Sequence, residues 1–387
     1  MRDVAQLAAV PVVGAHDSTM PRLRCGRTGR WSATGGTFDP SCVKPLARRP
    51  ALRHSCGVTW SSAVWGTGEF ASELLTFVTD AVGEPTVFEP LKIRPWSTVW
   101  RVEVGGEKYW AKQNCPGQAH EAALLSALQP IAPDYVVPVV AADPGRDLLL
   151  TPHLGVTLHE RGGDHDVDLW CRIVRDAALL QRAAAPHIDD LPLTALAPEC
   201  ATTYVADAVG RLNALAPDDP RRLPDDVARR LEALLPRLES WSDQVGELDL
   251  PLTINHNDLH ANNVVAGADD RPLRFFDFGD AMATEPLGAL LIALNISADE
   301  LDAGPDDLRL RRIADAALEV WSDHAPMRSL RAALPAALQL ARLAKIESWR
   351  RCITTMTPEE RGEYGSAPAD WLGTLLEEPP VGYLPPM

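Results

Sequence analysis

Apolar and polar positions along this chain of 387 residues follow two successive regimes after a start without pattern. Residues 1–57 hold scattered Gly, Ser, Thr and Pro with no sustained period, which predicts a disordered N-terminal extension. From Thr59 the text changes. Glu69–Val82 predicts a helix. Thr86–Ile93, Ser97–Val104 and Lys108–Gln113 are strand-like, and the Gly105-Gly106 pair between the last two predicts a hairpin turn. Gly117–Leu128 carries Ala122, Leu125 and Leu128 at helical spacing. Tyr135–Ala141 and Asp147–Thr151 are two more strand-like runs, and Pro152-His153-Leu154-Gly155 ends them.

Beyond Thr157 helical patterns dominate: Asp166–Ala185, Ala201–Leu215, Asp225–Val245, Leu308–Ser322 and Leu330–Ile353. One stretch interrupts them. Pro251–Phe278 contains two short β-like runs, Asn263–Ala266 and Leu273–Phe276, around an acidic turn. There is no internal repeat. The chain is therefore divided into the extension 1–57, a β-rich lobe over 58–154 and a helical lobe over 155–387, an α+β arrangement.

Composition narrows the functional classes. Charged residues are 23% and hydrophobic residues 46%, as in globular proteins. The apolar runs Leu287–Ile296 and Leu330–Leu343 fall short of the roughly 20 residues a membrane span needs, or carry Arg. No membrane partner is expected. The net charge of −16 argues against nucleic acid, which calls for a basic face. Seven Cys with no C-x-x-C spacing argue against a disulfide framework or a zinc site. Met1–Ala15 imitates a signal peptide only loosely, since Asp3 offsets Arg2 and both Gln6 and Pro11 break the apolar run, so a cytoplasmic location is expected. Lysine is scarce. Lys44, Lys92, Lys108, Lys112 and Lys345 stand against an Arg-dominated background, which raises the chance that each is kept for its chemistry.

The candidate chemistry is concentrated in His256-Asn257-Asp258-Leu259-His260-Ala261-Asn262-Asn263 and in Asp277-Phe278-Gly279-Asp280. H-x-D-x-x-x-x-N followed fourteen residues later by D-F-G is the layout of a kinase catalytic loop and metal loop. The segment resembles the aminoglycoside phosphotransferase family, whose loop usually runs H-G-D-L-H-x-x-N. The resemblance extends over about residues 84–300, and it implies a protein-kinase-like fold of two lobes, with a small antiparallel sheet and a larger helical part. It implies an ATP-dependent small-molecule O-phosphotransferase, with GTP an alternative donor, Mg2+ as cofactor and a hydroxyl-bearing small molecule as partner. Oligomeric state is left open.

The roles implied are specific. Asp258 takes or orients the acceptor proton. Asn263 and Asp277 offer the hard oxygens that suit Mg2+. Lys112 on the third strand holds the nucleotide phosphates, with Lys108 its neighbouring alternative, and Glu121 pins the lysine because a buried ammonium needs a partner. His256 shapes the loop. Ser97, in Pro95-Trp96-Ser97-Thr98, takes the place of a glycine-rich nucleotide loop. Thr151 and Leu154 lie where the interlobe hinge belongs.

Two departures from the family pattern stand out. Asn257 replaces a glycine, and the stretch after Asp280 lacks the usual helix-capping Asp, having Glu285-Pro286-Leu287-Gly288 instead. Acidic clusters at Asp164, Asp166 and Asp168, at Asp189-Asp190, and at Asp299, Glu300 and Asp302 either attract a cationic acceptor such as an amino sugar or are solvated loops. The competing function is a nucleotide-binding pseudokinase or scaffold without turnover. It would place Asp258 far from any accessible cleft.

Overall fold

The computed structural model describes residues 43–45, 60–266 and 272–384. The expectation of a disordered extension over 1–57 lies outside them, apart from a two-residue strand, β1 (Lys44–Pro45). Helix α1 (Gly68–Val82) is capped by the Thr67 hydroxyl and leads into β2 (Val87–Arg94), β3 (Ser97–Val104) and β4 (Glu107–Asn114). The β3–β4 hairpin turns on Gly105 and Gly106, whose φ of 60° and 90° suit a glycine pair. In β3 every second side chain, Thr98, Trp100 and Val102, is buried, which is the period a half-covered sheet demands.

Helix α2 (Glu121–Ile131) follows, then β5 (Ala141–Asp143) and β6 (Leu148–Pro152). The antiparallel sheet has the order β2-β3-β4-β6-β5. Two expectations are corrected in this lobe. The helix expected from Gly117 starts at Glu121, because Gly117 packs on the backbone of Arg351; a Cβ there would lie 2.1 Å from the Arg351 carbonyl oxygen. The strand expected over Tyr135–Ala141 reduces to a bridge between Val136 and Phe275 and to Ala141, which opens β5. Pro138 has no N–H for a ladder, and the Val137 carbonyl is taken by the Gln129 amide instead.

The remainder is mainly helical, as expected. Its elements are α3 (Val167–Ala184), β7 (Thr194–Ala195), α4 (Ala201–Asn213), α5 (Asp225–Gly246), β8 (Thr253–Asn255), β9 (Val264–Val265), β10 (Arg274–Phe275) and β11 (Met282–Thr284), then α6 (Leu290–Glu300), α7 (Leu308–Leu318), α8 (Met327–Ile353), α9 (Pro358–Tyr364) and α10 (Ala367–Thr374). The short strands form a second sheet, β1-β7-β11-β8, and a β9–β10 ladder. The run Leu287–Ile296 enters α6, which is buried on nearly all sides and so shows no amphipathic period. Among the described residues no helix is long and apolar enough to cross a membrane.

Two apolar cores result. The larger fills the helical part. The smaller joins Trp65, Phe70, Trp100 and Leu150 of the sheet lobe to Cys352, Ile353 and Met356 at the end of α8. The β2–β3 turn is also held there, with the Trp96 ring edge-on to Trp349 and Tyr364 at 5.7 and 5.1 Å between centroids. The last turns of α8 thus pack against both lobes.

Candidate active site

Strand β8 delivers the catalytic-loop candidate. Asn257 directly follows His256 and has φ 61°, a left-handed backbone that a glycine adopts freely and asparagine tolerates. Its side chain adds a use that glycine lacks, donating to the Asp280 carbonyl at 3.2 Å. His256 Nε2 lies 2.8 Å from the Phe276 carbonyl oxygen, and its ring packs on Phe278. Burial lowers the His256 pKa, which favours a neutral ring that links the loop to the D-F-G segment.

Asp258 projects from this loop with a quarter of its side chain exposed. His260 Nδ1 accepts the Asn262 N–H, so Nε2 carries the proton that faces Asp258 Oδ2 at 3.2 Å. The Asn263 amide donates to the Asp258 carbonyl at 3.0 Å and to Oδ2 at 3.2 Å. The second oxygen, Oδ1, accepts from Lys345 Nζ at 2.9 Å. Burial pushes the Asp258 carboxyl up, but Lys345 and His260 outweigh it and hold the group well below the ordinary range.

The other half of the site comes from β4, α2 and the D-F-G segment. Lys112 Nζ lies 2.6 Å from Glu121 Oε2 and 2.6 Å from Asp277 Oδ1. Burial lowers the lysine's pKa, but the two carboxylates outweigh that and raise it. Glu121 also accepts the Phe278 N–H at 2.9 Å, so one carboxylate from the sheet lobe reaches the lysine beside it and the metal-loop backbone opposite. Asp277 sits at φ 65° with half of its side chain exposed. Lys108, the alternative lysine, is exposed near the start of the same strand.

Ser97 opens β3 opposite Asn114, Thr151 pairs with Trp110 across β4 and β6, and Leu154 follows in the connection to the helical part.

Several participants were not singled out in the sequence. Lys345 of α8 donates to the Asn257 carbonyl, Asp258 and Asp280 at 3.0, 2.9 and 2.8 Å. Asp280 further accepts from Gln118 at 2.6 Å and from Ser348. The scarcity of lysine was the one available signal for Lys345. Glu285 settles the missing cap: its carboxylate accepts the Leu287 and Gly288 N–H groups, both at 2.7 Å. The first acidic cluster proves structural. Asp164 pairs with His159, Asp166 caps α3, and Asp168 pairs with Arg312 on α7. Glu300 likewise faces His165.

Comparison with known proteins agrees with this geometry. The model of the phosphotransferase enzyme family matches residues 96–350. An ethanolamine kinase of Plasmodium vivax is similar in structure, with a TM-score of 0.54 and 12% identity over 80% of this chain and 98% of that one. The GDP complex of an aminoglycoside 2'-phosphotransferase-IIIa mutant gives 0.51 and 14%, over 79% and 95%. A macrolide 2'-phosphotransferase type I gives 0.50 and 13%, over 77% and 96%. These likenesses establish a shared kinase-like fold. No curated protein matches the chain.

Proposed function

We propose that this chain, which belongs to the phosphotransferase enzyme family, moves the terminal phosphoryl group of ATP or GTP to a hydroxyl of a small molecule, with residues 58–154 holding the nucleotide and 155–387 the acceptor. The observation that carries the reading is the convergence of Lys112, Glu121 and Asp277 within ion-pair distance, in a fold that also presents Asp258 and Asn263 on one loop. Phosphoryl transfer is stabilised chiefly by positioning and charge neutralisation, and those groups supply both.

Lys112 uses two of its three N–H donors on carboxylates, and among the described residues the third has no acceptor and is available to a phosphate oxygen. Asp258 is held ionised by Lys345 and His260, which makes it a weak base and a good acceptor of a hydroxyl hydrogen bond. Its role is to orient the acceptor hydroxyl toward the phosphorus and to receive its proton late. Ser97, Thr151 and Leu154 border the nucleotide.

The donor set suits Mg2+. Asn263 directs its amide N–H groups at Asp258, which leaves its carboxamide oxygen as a ligand, and Asp277 keeps Oδ2 beside a half-exposed approach. Two protein oxygens match an ion that retains water and phosphate oxygens in its shell. Among the described residues no cluster of three or more His, Cys, Asp or Glu could hold a metal by itself. When bound, Mg2+ would neutralise phosphate charge.

The partial exposure of Asp258 favours an enzyme over a nucleotide-binding scaffold. With the first acidic cluster used in caps and pairs, support for a cationic acceptor is left to Asp189-Asp190 and to Asp299 and Asp302, and neutral hydroxylated molecules belong in the same panel. Among the described residues Cys115, Cys171 and Cys352 are thiols rather than disulfides, which suits a cytoplasmic location. The test is nucleotide consumption with Mg2+ against hydroxylated antibiotics, amino sugars and polyols. Turnover with one acceptor, abolished in Asp258→Ala, is expected. Undiminished turnover in that variant would overturn the assignment.

A further inference from the structure

Behind the Lys112–Glu121 pair lies a second layer of buried polar groups that the motifs do not include. Asp147, in the turn between β5 and β6, is 2% exposed. Its Oδ1 accepts the Ala122 N–H at 3.0 Å, at the start of α2, where the N-cap residue His120 does not cap the helix with its own side chain. A helix cap requires only that oxygen. The other oxygen, Oδ2, accepts the Asn114 side-chain amide at 3.0 Å and the Asn114 backbone N–H at 3.3 Å. The same Asn114 amide donates to Glu121 Oε2 at 2.8 Å, and that is the oxygen 2.6 Å from Lys112 Nζ. The Asn114 side-chain oxygen Oδ1 faces Gly279 of the D-F-G segment, where a Cβ would lie 3.4 Å away.

We infer that Asp147 is a positioning residue for nucleotide phosphates, acting through Asn114 and Glu121 on Lys112; the inference rests on the nucleotide-binding reading above. With both amide hydrogens engaged by carboxylates, Asn114 has a single orientation, and Glu121 receives a fixed donor that keeps its oxygen turned toward the lysine. The charged groups that face Asp147 are Glu121, which opposes its ionisation, and Lys112, which favours it. Asp147 also holds φ 52°, a backbone that glycine would take more easily, so its side chain, rather than the turn, accounts for its presence.

The experiment measures binding of Mg2+-ATP or Mg2+-GTP, whichever the full chain binds more tightly, beside the matching nucleoside, by calorimetry. Asp147→Asn and Asn114→Ser are each compared in the wild-type and Glu121→Gln backgrounds. Asn114→Ser cuts the relay while leaving the Ala122 cap, so it decides the matter if Asp147→Asn does not fold. The expected result is roughly tenfold weaker triphosphate binding, as for loss of a charge-assisted hydrogen bond. Nucleoside binding stays unchanged, and little further loss appears once Glu121 is Gln. Equal losses for nucleoside and triphosphate, additive losses in the Glu121→Gln background, or no loss would each overturn the role. A wild-type chain that binds neither ligand would overturn the nucleotide reading, and the positioning role with it.

Discussion

Two lysines in this molecule occupy nearly the same electrostatic setting and do different work. Lys112 lies between Glu121 and Asp277, and Lys345 lies between Asp258 and Asp280. Each is nearly buried, and each binds one of the two aspartates that bracket Phe278-Gly279. The difference is in the third N–H. Among the described residues Lys112 has two carboxylate partners and no third acceptor, whereas Lys345 gives its third N–H to the Asn257 carbonyl and has none left. On the proposed function the first lysine is the ligand-binding group and the second a clamp. A residue's saturation, more than its charge, separates the roles.

Removing the clamp is the strongest way to probe this contrast. Lys345→Met leaves Asp258 and Asp280 without their shared cation in a largely buried site. We expect a loss of about 3 kcal/mol or more in denaturant unfolding, with turnover falling alongside. Lys345→Arg should recover part of the stability, because the charge returns with altered geometry. Stability within about 0.5 kcal/mol of wild type in the Met variant would show that the clamp is incidental.

Glu285 offers the complementary case, a buried carboxylate that among the described residues has two N–H donors and no cation. Burial pushes its pKa up to about 7 from the ordinary 4.5. A carboxyl raised on folding contributes stability that is complete below 4.5 and lost as pH rises through about 7. Its contribution to the melting temperature should therefore decline from about pH 5 to pH 7, and Glu285→Gln should flatten that decline by an amount worth up to about 3 kcal/mol. An unchanged slope in the variant would assign the pH dependence elsewhere. The smallest effect belongs to the surface. Arg312→Ala, which breaks the exposed pair with Asp168, should change stability by less than about 1 kcal/mol, and a larger change in unfolding would mean that the α3–α7 contact depends on it.

What was readable in the sequence follows the same division. Asp258, Asn263 and Asp277 lie within one short stretch, and the family resemblance carried by that stretch pointed upstream to Lys112 and Glu121. Lys345 is 87 residues from Asp258 and enters the site only because α8 folds back across both lobes. Gln118, Asn114 and Asp147 act through contacts that no local motif encodes. Among the elements, β3 matched its expected bounds because alternating burial writes itself into sequence. The strands β7, β8 and β11 are too short to show a period, and α6 is apolar on nearly every side, so none of these announced itself. Tyr135–Ala141 misled because its apolar residues serve contacts to β10 and β6 rather than a ladder of their own.

The central claim is that the lysine with a free donor binds the nucleotide while the carboxylate held by the saturated lysine serves the acceptor. Its most direct test sets Lys112→Ala beside Asp258→Ala in binding of Mg2+-ATP and Mg2+-GTP by the folded chain. The account predicts at least about tenfold weaker binding in Lys112→Ala and near wild-type affinity in Asp258→Ala. Full affinity in the first variant together with collapse in the second would contradict it.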